Sequence, residues 1–120
     1  MKIAISAQGK ELDSKVDPRF GRAPFYIIYD LESGDFEALD NSENVHAGQG
    51  AGIQAAQKVV AQDVDLVVSG NLGPKAYQVL SSAKIKTALW AHGSVREAVE
   101  LAKNNELTFA EGANVEGHWS

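Results

Sequence analysis

Apolar and polar residues alternate over Lys2 to Ala7, with Ile3 and Ile5 sharing one face, and this predicts a first strand. Phe25 to Tyr29 and Phe36 to Asp40 predict a second and a third. Glu32-Ser33-Gly34-Asp35 joins them as a hairpin turn in which Gly34 can take positive φ. Ile53, Ala56, Val59, Val60 and Val64 recur at helical spacing and predict a first helix with those residues inward. The compact apolar run in Val64 to Ser69 reads as a buried parallel strand, and Ile85 to Trp90 as a fifth strand. A second helix is expected from Pro74 to about Ala83, burying Ala76, Val79, Leu80 and Ala83. Ser94-Val95-Arg96-Glu97 is a capping box that opens a third helix, which packs Val95, Ala98, Val99 and Ala102 and ends at Asn104-Asn105. Leu107 to Ser120 reads as a loose tail, although Phe109 and Trp119 could fold back on the body.

The order β-β-β-α-β-α-β-α has one antiparallel hairpin and an αβαβ half with right-handed parallel crossovers. It predicts an α/β protein in three α/β/α layers with a five-stranded mixed sheet, close to a ribonuclease H-like arrangement. One domain is expected over residues 1–103, with a tail over 104–120. If the first strand runs up, the third, fourth and fifth also run up and the second runs down. One edge of the sheet then collects five loops: Ala7-Gln8-Gly9, Pro18 to Pro24, Asn41 to Gly52, Gly70 to Gly73 and Trp90 to Gly93. Open α/β sheets bind ligands at the carboxyl ends of their parallel strands, so this edge is the candidate cleft.

Its residues suit an anion. Val68 to Tyr77 runs from a strand through Gly70-Asn71-Leu72-Gly73 into a helix that Pro74 opens, where amide N–H groups without intrahelical partners face whatever lies above the sheet. The helix beginning near Gly50 has no acidic residue in its first turn, and the one at Pro74 carries Lys75 there, so both keep a positive dipole end. Arg19 and Arg22 flank the Phe20-Gly21 pair, and their guanidinium groups can fork onto oxyanions or sulfides. They could instead be surface arginines paired with Asp13 or Asp17. His46 and His92 could close the rim, and Gly48 and Gly50 could add backbone donors. Phe20 and Trp90 could wall the cleft, though Trp90 reads better as core. Equally, Gly70 and Gly73 could serve the turn alone.

Composition narrows the ligand. The 120 residues carry no cysteine, which removes thiolate anchors for zinc or iron–sulfur centres. The net charge of −5 argues against nucleic acid as the partner, because phosphate neutralisation carries most of that affinity. No apolar run approaches a membrane span, and Met1 to Gln8 is too short and too alternating for a signal peptide, so a cytoplasmic protein is expected.

Several enzyme classes fail. The first strand has no carboxylate to hold the divalent metals of a ribonuclease H-type nuclease, and Gly70-Asn71 stands where another would be needed. There is no Gly-Lys-Ser or Gly-Lys-Thr phosphate loop and no Gly-x-Ser-x-Gly elbow. Gly48-Gln49-Gly50-Ala51-Gly52 follows a hairpin strand, not the first strand of a βαβ unit, and so is not a dinucleotide fingerprint. No nucleophile–base pair can be placed.

Met1 to Ile5, Asp17-Pro18-Arg19-Phe20-Gly21-Arg22-Ala23-Pro24, Gly50-Ala51-Gly52, Ser69 to Ala76 and Gly93 to Ala98 occur in this order over roughly residues 1–103. In this they resemble the dinitrogenase iron–molybdenum cofactor-binding family, which includes NifX, NafY, the carboxy-terminal part of NifB and a stand-alone orange-protein branch. The Phe-Gly-Arg loop together with the Gly-x-x-Gly-Pro-Lys-Ala turn is the specific pair. The resemblance implies a ribonuclease H-like fold without nuclease activity and non-covalent binding of a metal–sulfur cluster or its precursor. In the orange-protein branch, which the length and missing cysteines fit better, that is a molybdenum–copper sulfide cluster. An iron–molybdenum–sulfur cluster or precursor is the alternative. The expectation is a carrier or storage protein that is not an enzyme, with Arg19 and Arg22 neutralising an anionic metal–sulfide cluster. Relatives of the orange-protein type are also associated with MinD-like ATPases. A different class of function stays open: a regulatory or adaptor domain that binds a protein or small anion at the same edge, with Phe20, Leu72 and Trp90 as an apolar patch.

Overall fold

The structure, a computed structural model, describes residues 1–46 and 50–112. Five strands, β1 (Lys2–Ala7), β2 (Phe25–Asp30), β3 (Phe36–Asp40), β4 (Leu66–Ser69) and β5 (Lys86–Leu89), form one sheet in the order β3-β2-β1-β4-β5. β1 pairs antiparallel with β2, Ile5 facing Ile27, and parallel with β4, Ile5 facing Val68. β2 pairs antiparallel with β3, and β4 parallel with β5. Gly34 takes φ 80° in the hairpin, as its turn requires.

Helices cover both faces. α1 (Ala51–Val60) and α2 (Pro74–Ser82) bury Ala55, Ala56, Val59, Ala76 and Leu80 on one face, against Ala4, Tyr26, Ile28 and Val67. α3 (Val95–Lys103) buries Val95, Ala98 and Val99 on the other, against Ile3, Ile5, Ile27 and Val68. Alternate residues of β1 and β4 feed the two cores: Ala4 and Val67 enter one, and Ile3, Ile5, Leu66 and Val68 the other. The result is the expected three-layer α/β/α fold. The Ser94–Glu97 capping box opens α3 with both of its hydrogen bonds formed.

The inward stripes of the first two helices differ in detail. α1 starts at Ala51, so its buried rows are Ala51, Ala55 and Val59 beside Gly52 and Ala56, while Ile53 and Val60 are half-buried. Val64 is buried but lies beyond α1, after Asp63 turns the chain at φ 56°. α2 stops at Ser82, and Ala83 is exposed before Lys84 turns at φ 63°. Phe109 does fold back, bridging Ala88 on the outer edge of β5 with the Lys86 ammonium 5.0 Å from its ring centre. Trp119 lies outside the described residues. Among the described residues no helix is long and apolar enough to cross a membrane.

Candidate functional site

The sheet directions place the carboxyl ends of β1, β3, β4 and β5 and the amino end of β2 on one edge, where Ala7 faces Phe25 and Phe25 faces Asp40. The segment from Asp17 to Pro24 is the hub of that edge. On one side it pairs with the β4–α2 turn: Asn71 N–H donates to the Pro18 carbonyl at 2.6 Å and Phe20 N–H donates to the Asn71 carbonyl at 3.2 Å. On the other it meets the loop after β3, where Asn41 Nδ2 donates to the Ala23 carbonyl at 2.8 Å and the Gly21 carbonyl at 3.3 Å. The β5–α3 turn joins through Val16 N–H, which donates to the Gly93 carbonyl at 2.9 Å.

Buried polar groups underlie this junction. Ser6 Oγ, fully buried on β1, donates to the Asp17 carbonyl at 2.6 Å and lies 2.8 Å from Ser69 Oγ of β4. Asp17 is buried, and its Oδ1 accepts from the Arg19 N–H at 2.9 Å and from Arg19 Nε at 3.4 Å. Of the alternatives for Arg19, pairing with Asp17 is thus realised, while Asp13 is taken by Arg96 at 2.9 Å. Arg19 stays 41 % exposed at its side chain, so the ion pair leaves the rest of its guanidinium at the surface. The buried Tyr26 hydroxyl donates to the Phe20 carbonyl, and burial, with Asp17 adding to it, pushes that phenol well above the usual tyrosine range.

Two helix starts at the same edge lack a side-chain cap. Gly50 caps α1 in the left-handed conformation, φ 80° and ψ 3°, with no side-chain cap and no acid in the first turn. Gly73 caps α2 with Pro74 after it, again with neither side-chain cap nor first-turn acid. Another cation at this edge escaped sequence reasoning: Lys10, whose ammonium lies 5.4 Å from the Phe25 ring centre. Asn41, Tyr26 and Ser6 escaped it too. Their work is done by partners distant in sequence, and no local pattern marks a polar residue as buried.

The expected site residues separate into those brought together and those not. Arg19 and Phe20 meet Asn71 and Gly70 abuts Pro18, Gly21 is tied to Asn41 on the same loop, and Leu72 and Gly73 continue the β4–α2 turn. Arg22 is half-buried on the hub. His46 and His92 are both exposed, but they follow β3 and β5, the two outer strands, which stand roughly 19 Å apart at strand spacings of about 4.8 Å. They flank the hub from opposite sides. The His92 ring meets Trp90 edge-on at 6.0 Å. Phe20 and Leu72 are fully buried in the α1/α2 core, so they floor the edge and cannot form an exposed patch; of the three residues expected there, only half-buried Trp90 reaches the surface. Gly48 lies outside the described residues.

The donor set is cationic side chains and amide N–H groups. Among the described residues no three or more His, Asp and Glu are grouped to hold a metal ion, and the chain has no cysteine. The donor set suits an anion that brings its own ligands.

The family model for dinitrogenase iron–molybdenum cofactor proteins matches residues 1–105. The apo form of the orange protein from Desulfovibrio gigas superposes with a TM-score of 0.91 at 36% identity, covering 95% of this chain and 96% of that one. A NifB-like protein from Thermotoga superposes with a TM-score of 0.83 at 33% identity, covering 97% and 98%. An uncharacterised protein of Methanocaldococcus jannaschii is 27% identical over 109 residues, 89% of either chain. The chain belongs to the dinitrogenase iron–molybdenum cofactor family.

Proposed function

We propose that this protein binds and carries an anionic molybdenum-containing metal–sulfide cluster without covalent attachment and without catalytic turnover. One observation carries the reading. The loops after β3 and β4 lock onto the Asp17–Pro24 hub, and the loop after β5 joins beside it at Val16, at the edge where Arg19, Arg22 and the uncapped starts of α1 and α2 lie. A cluster of this kind arrives with its own sulfides and negative charge. Guanidinium groups and amide N–H groups hold such a body by charge-assisted hydrogen bonds, and no protein thiolate is needed.

Membership of the family supports a cluster of the iron–molybdenum type. The finer reading, a molybdenum–copper sulfide, is favoured by the likeness to the orange protein over nearly the whole of both chains. An iron–molybdenum–sulfur precursor is the alternative cargo. Arg19 and Arg22 neutralise the cluster, Gly50, Gly70 and Gly73 let the backbone approach it, and His46 and His92 guard its two flanks. Association with MinD-like ATPases belongs to the same proposal. Anaerobic titration of the metal-free protein with tetrathiomolybdate and cuprous ion tests it. Saturable uptake with new charge-transfer bands supports the reading, and no uptake above that of an unrelated acidic protein refutes it.

A further inference from the structure

We infer that Tyr26 and Asn41 are positioning residues for the cluster site, which turn the carbonyl groups of the hub loop inward so that the Gly21 amide N–H, and not these oxygens, faces the ligand. The inference rests on the anion-binding reading and goes further, by assigning the loop's polarity to two buried side chains.

Three carbonyls of the loop point into the protein. The Phe20 carbonyl accepts from the Tyr26 hydroxyl, and the Gly21 and Ala23 carbonyls accept from Asn41 Nδ2 at 3.3 and 2.8 Å. Both side chains are fully buried. Asn41 cannot flip, because its Oδ1 accepts from Asn44 Nδ2 at 2.8 Å and its own N–H donates to the Pro24 carbonyl at 2.8 Å. No peptide bond among the described residues is cis. In a planar trans peptide the C=O and the following N–H point in opposite directions. The Gly21 N–H therefore points away from Tyr26. This amide, flanked in the chain by Arg19 and Arg22, turns from the Tyr26 side, while the three oxygens that would repel an anion are occupied by Tyr26 and Asn41. Burial keeps Tyr26 protonated, so its hydroxyl remains a donor.

The test uses the intact chain, with tetrathiomolybdate as the probe. Tyr26→Phe keeps the ring and removes the donor. It should weaken tetrathiomolybdate binding roughly tenfold, the scale of a hydrogen bond to a charged group. At saturation it should also move the sulfide-to-molybdenum charge-transfer band toward that of the free ion. A residue that served stability alone would lower Tm and leave the band in place, and that result overturns the inference. So does unchanged affinity. A second measurement needs no variant: the Gly21 amide proton should shift among the most strongly of all amides as tetrathiomolybdate is added to the wild-type chain, and an unmoved Gly21 overturns the inference. If the wild-type protein takes up no tetrathiomolybdate at all, the anion-binding reading fails first and the positioning role falls with it.

Discussion

Gly70 and Pro18 touch so closely that no side chain fits between them: a Cβ on residue 70 would stand 2.9 Å from Pro18 Cα, and 2.9 Å from Ala91 Cβ on its other side. Three loops, from β1, β4 and β5, therefore meet at one glycine. The neighbouring atoms are backbone and a short side chain, which cannot swing aside as a flexible chain end would.

Gly70→Ala should accordingly cost about 1–3 kcal/mol, the range for overpacking a filled site. It should also push the hub loop off the β4–α2 turn. Thermal unfolding by circular dichroism reads the first effect and tetrathiomolybdate titration the second. A variant with wild-type Tm and wild-type uptake would show that the loops do not depend on this approach.

Arg22→Ala and Arg19→Ala should each weaken uptake of tetrathiomolybdate with copper about tenfold or more, since a charge-assisted hydrogen bond contributes about 1.5–3 kcal/mol. The effect should shrink with added salt, as partly exposed charges are screened. The Arg19 variant carries an added cost to the fold, because Asp17 is buried and loses its ion-pair partner. Retention of the cluster by Arg22→Ala at wild-type strength would count directly against the carrier reading.

Ser94→Ala separates stability from binding. It removes the hydroxyl that accepts from the Glu97 N–H at the start of α3. The expected loss is about 0.5–2 kcal/mol. The Ser94 hydroxyl is engaged with Glu97 of α3 and is none of the proposed cluster donors, so tetrathiomolybdate affinity should be unchanged while Tm falls by a few degrees. A parallel loss of affinity would place part of the site on the α3 face.

Tyr26 predicts an alkaline transition. Its folded-state pKa is raised, by burial first and Asp17 second, so the neutral phenol is favoured by folding. That contribution is fully present below the unfolded tyrosine value of about 10 and is lost as pH rises beyond it toward the folded value, at up to about 1.4 kcal/mol per pH unit. Of the three tyrosines, one should therefore ionise only together with unfolding in an ultraviolet pH titration. Three ordinary titrations before any loss of structure would contradict this burial.

Much of the fold was legible in the chain because its elements are locally determined. The strand over Lys2–Ala7, the Gly34 turn and the Ser94–Glu97 box each needs only neighbours in sequence, and each is found where expected. The shared loop edge followed from strand direction alone. The polarity of the site was not legible. Asn41 acts on Gly21 and Ala23, Tyr26 on Phe20, and Ser6 on Asp17 and Ser69, and apart from the Tyr26–Phe20 pair these partners lie 11 or more residues apart. Phe20 and Leu72 looked surface-bound because they sit in glycine-rich loops, yet the edge turns both down onto Tyr26 and the helices. The positions of His46 and His92 depended on strand order, which places β3 and β5 at opposite sides of the sheet.

The central claim is tested most directly by the visible spectrum of the protein purified without oxygen, with elemental analysis for molybdenum, copper, iron and sulfide on the same sample. Strong sulfide-to-metal charge-transfer bands with stoichiometric molybdenum are the predicted result, and copper in place of iron is the predicted ratio. A colourless, metal-free protein that also takes up no tetrathiomolybdate with copper would contradict the claim.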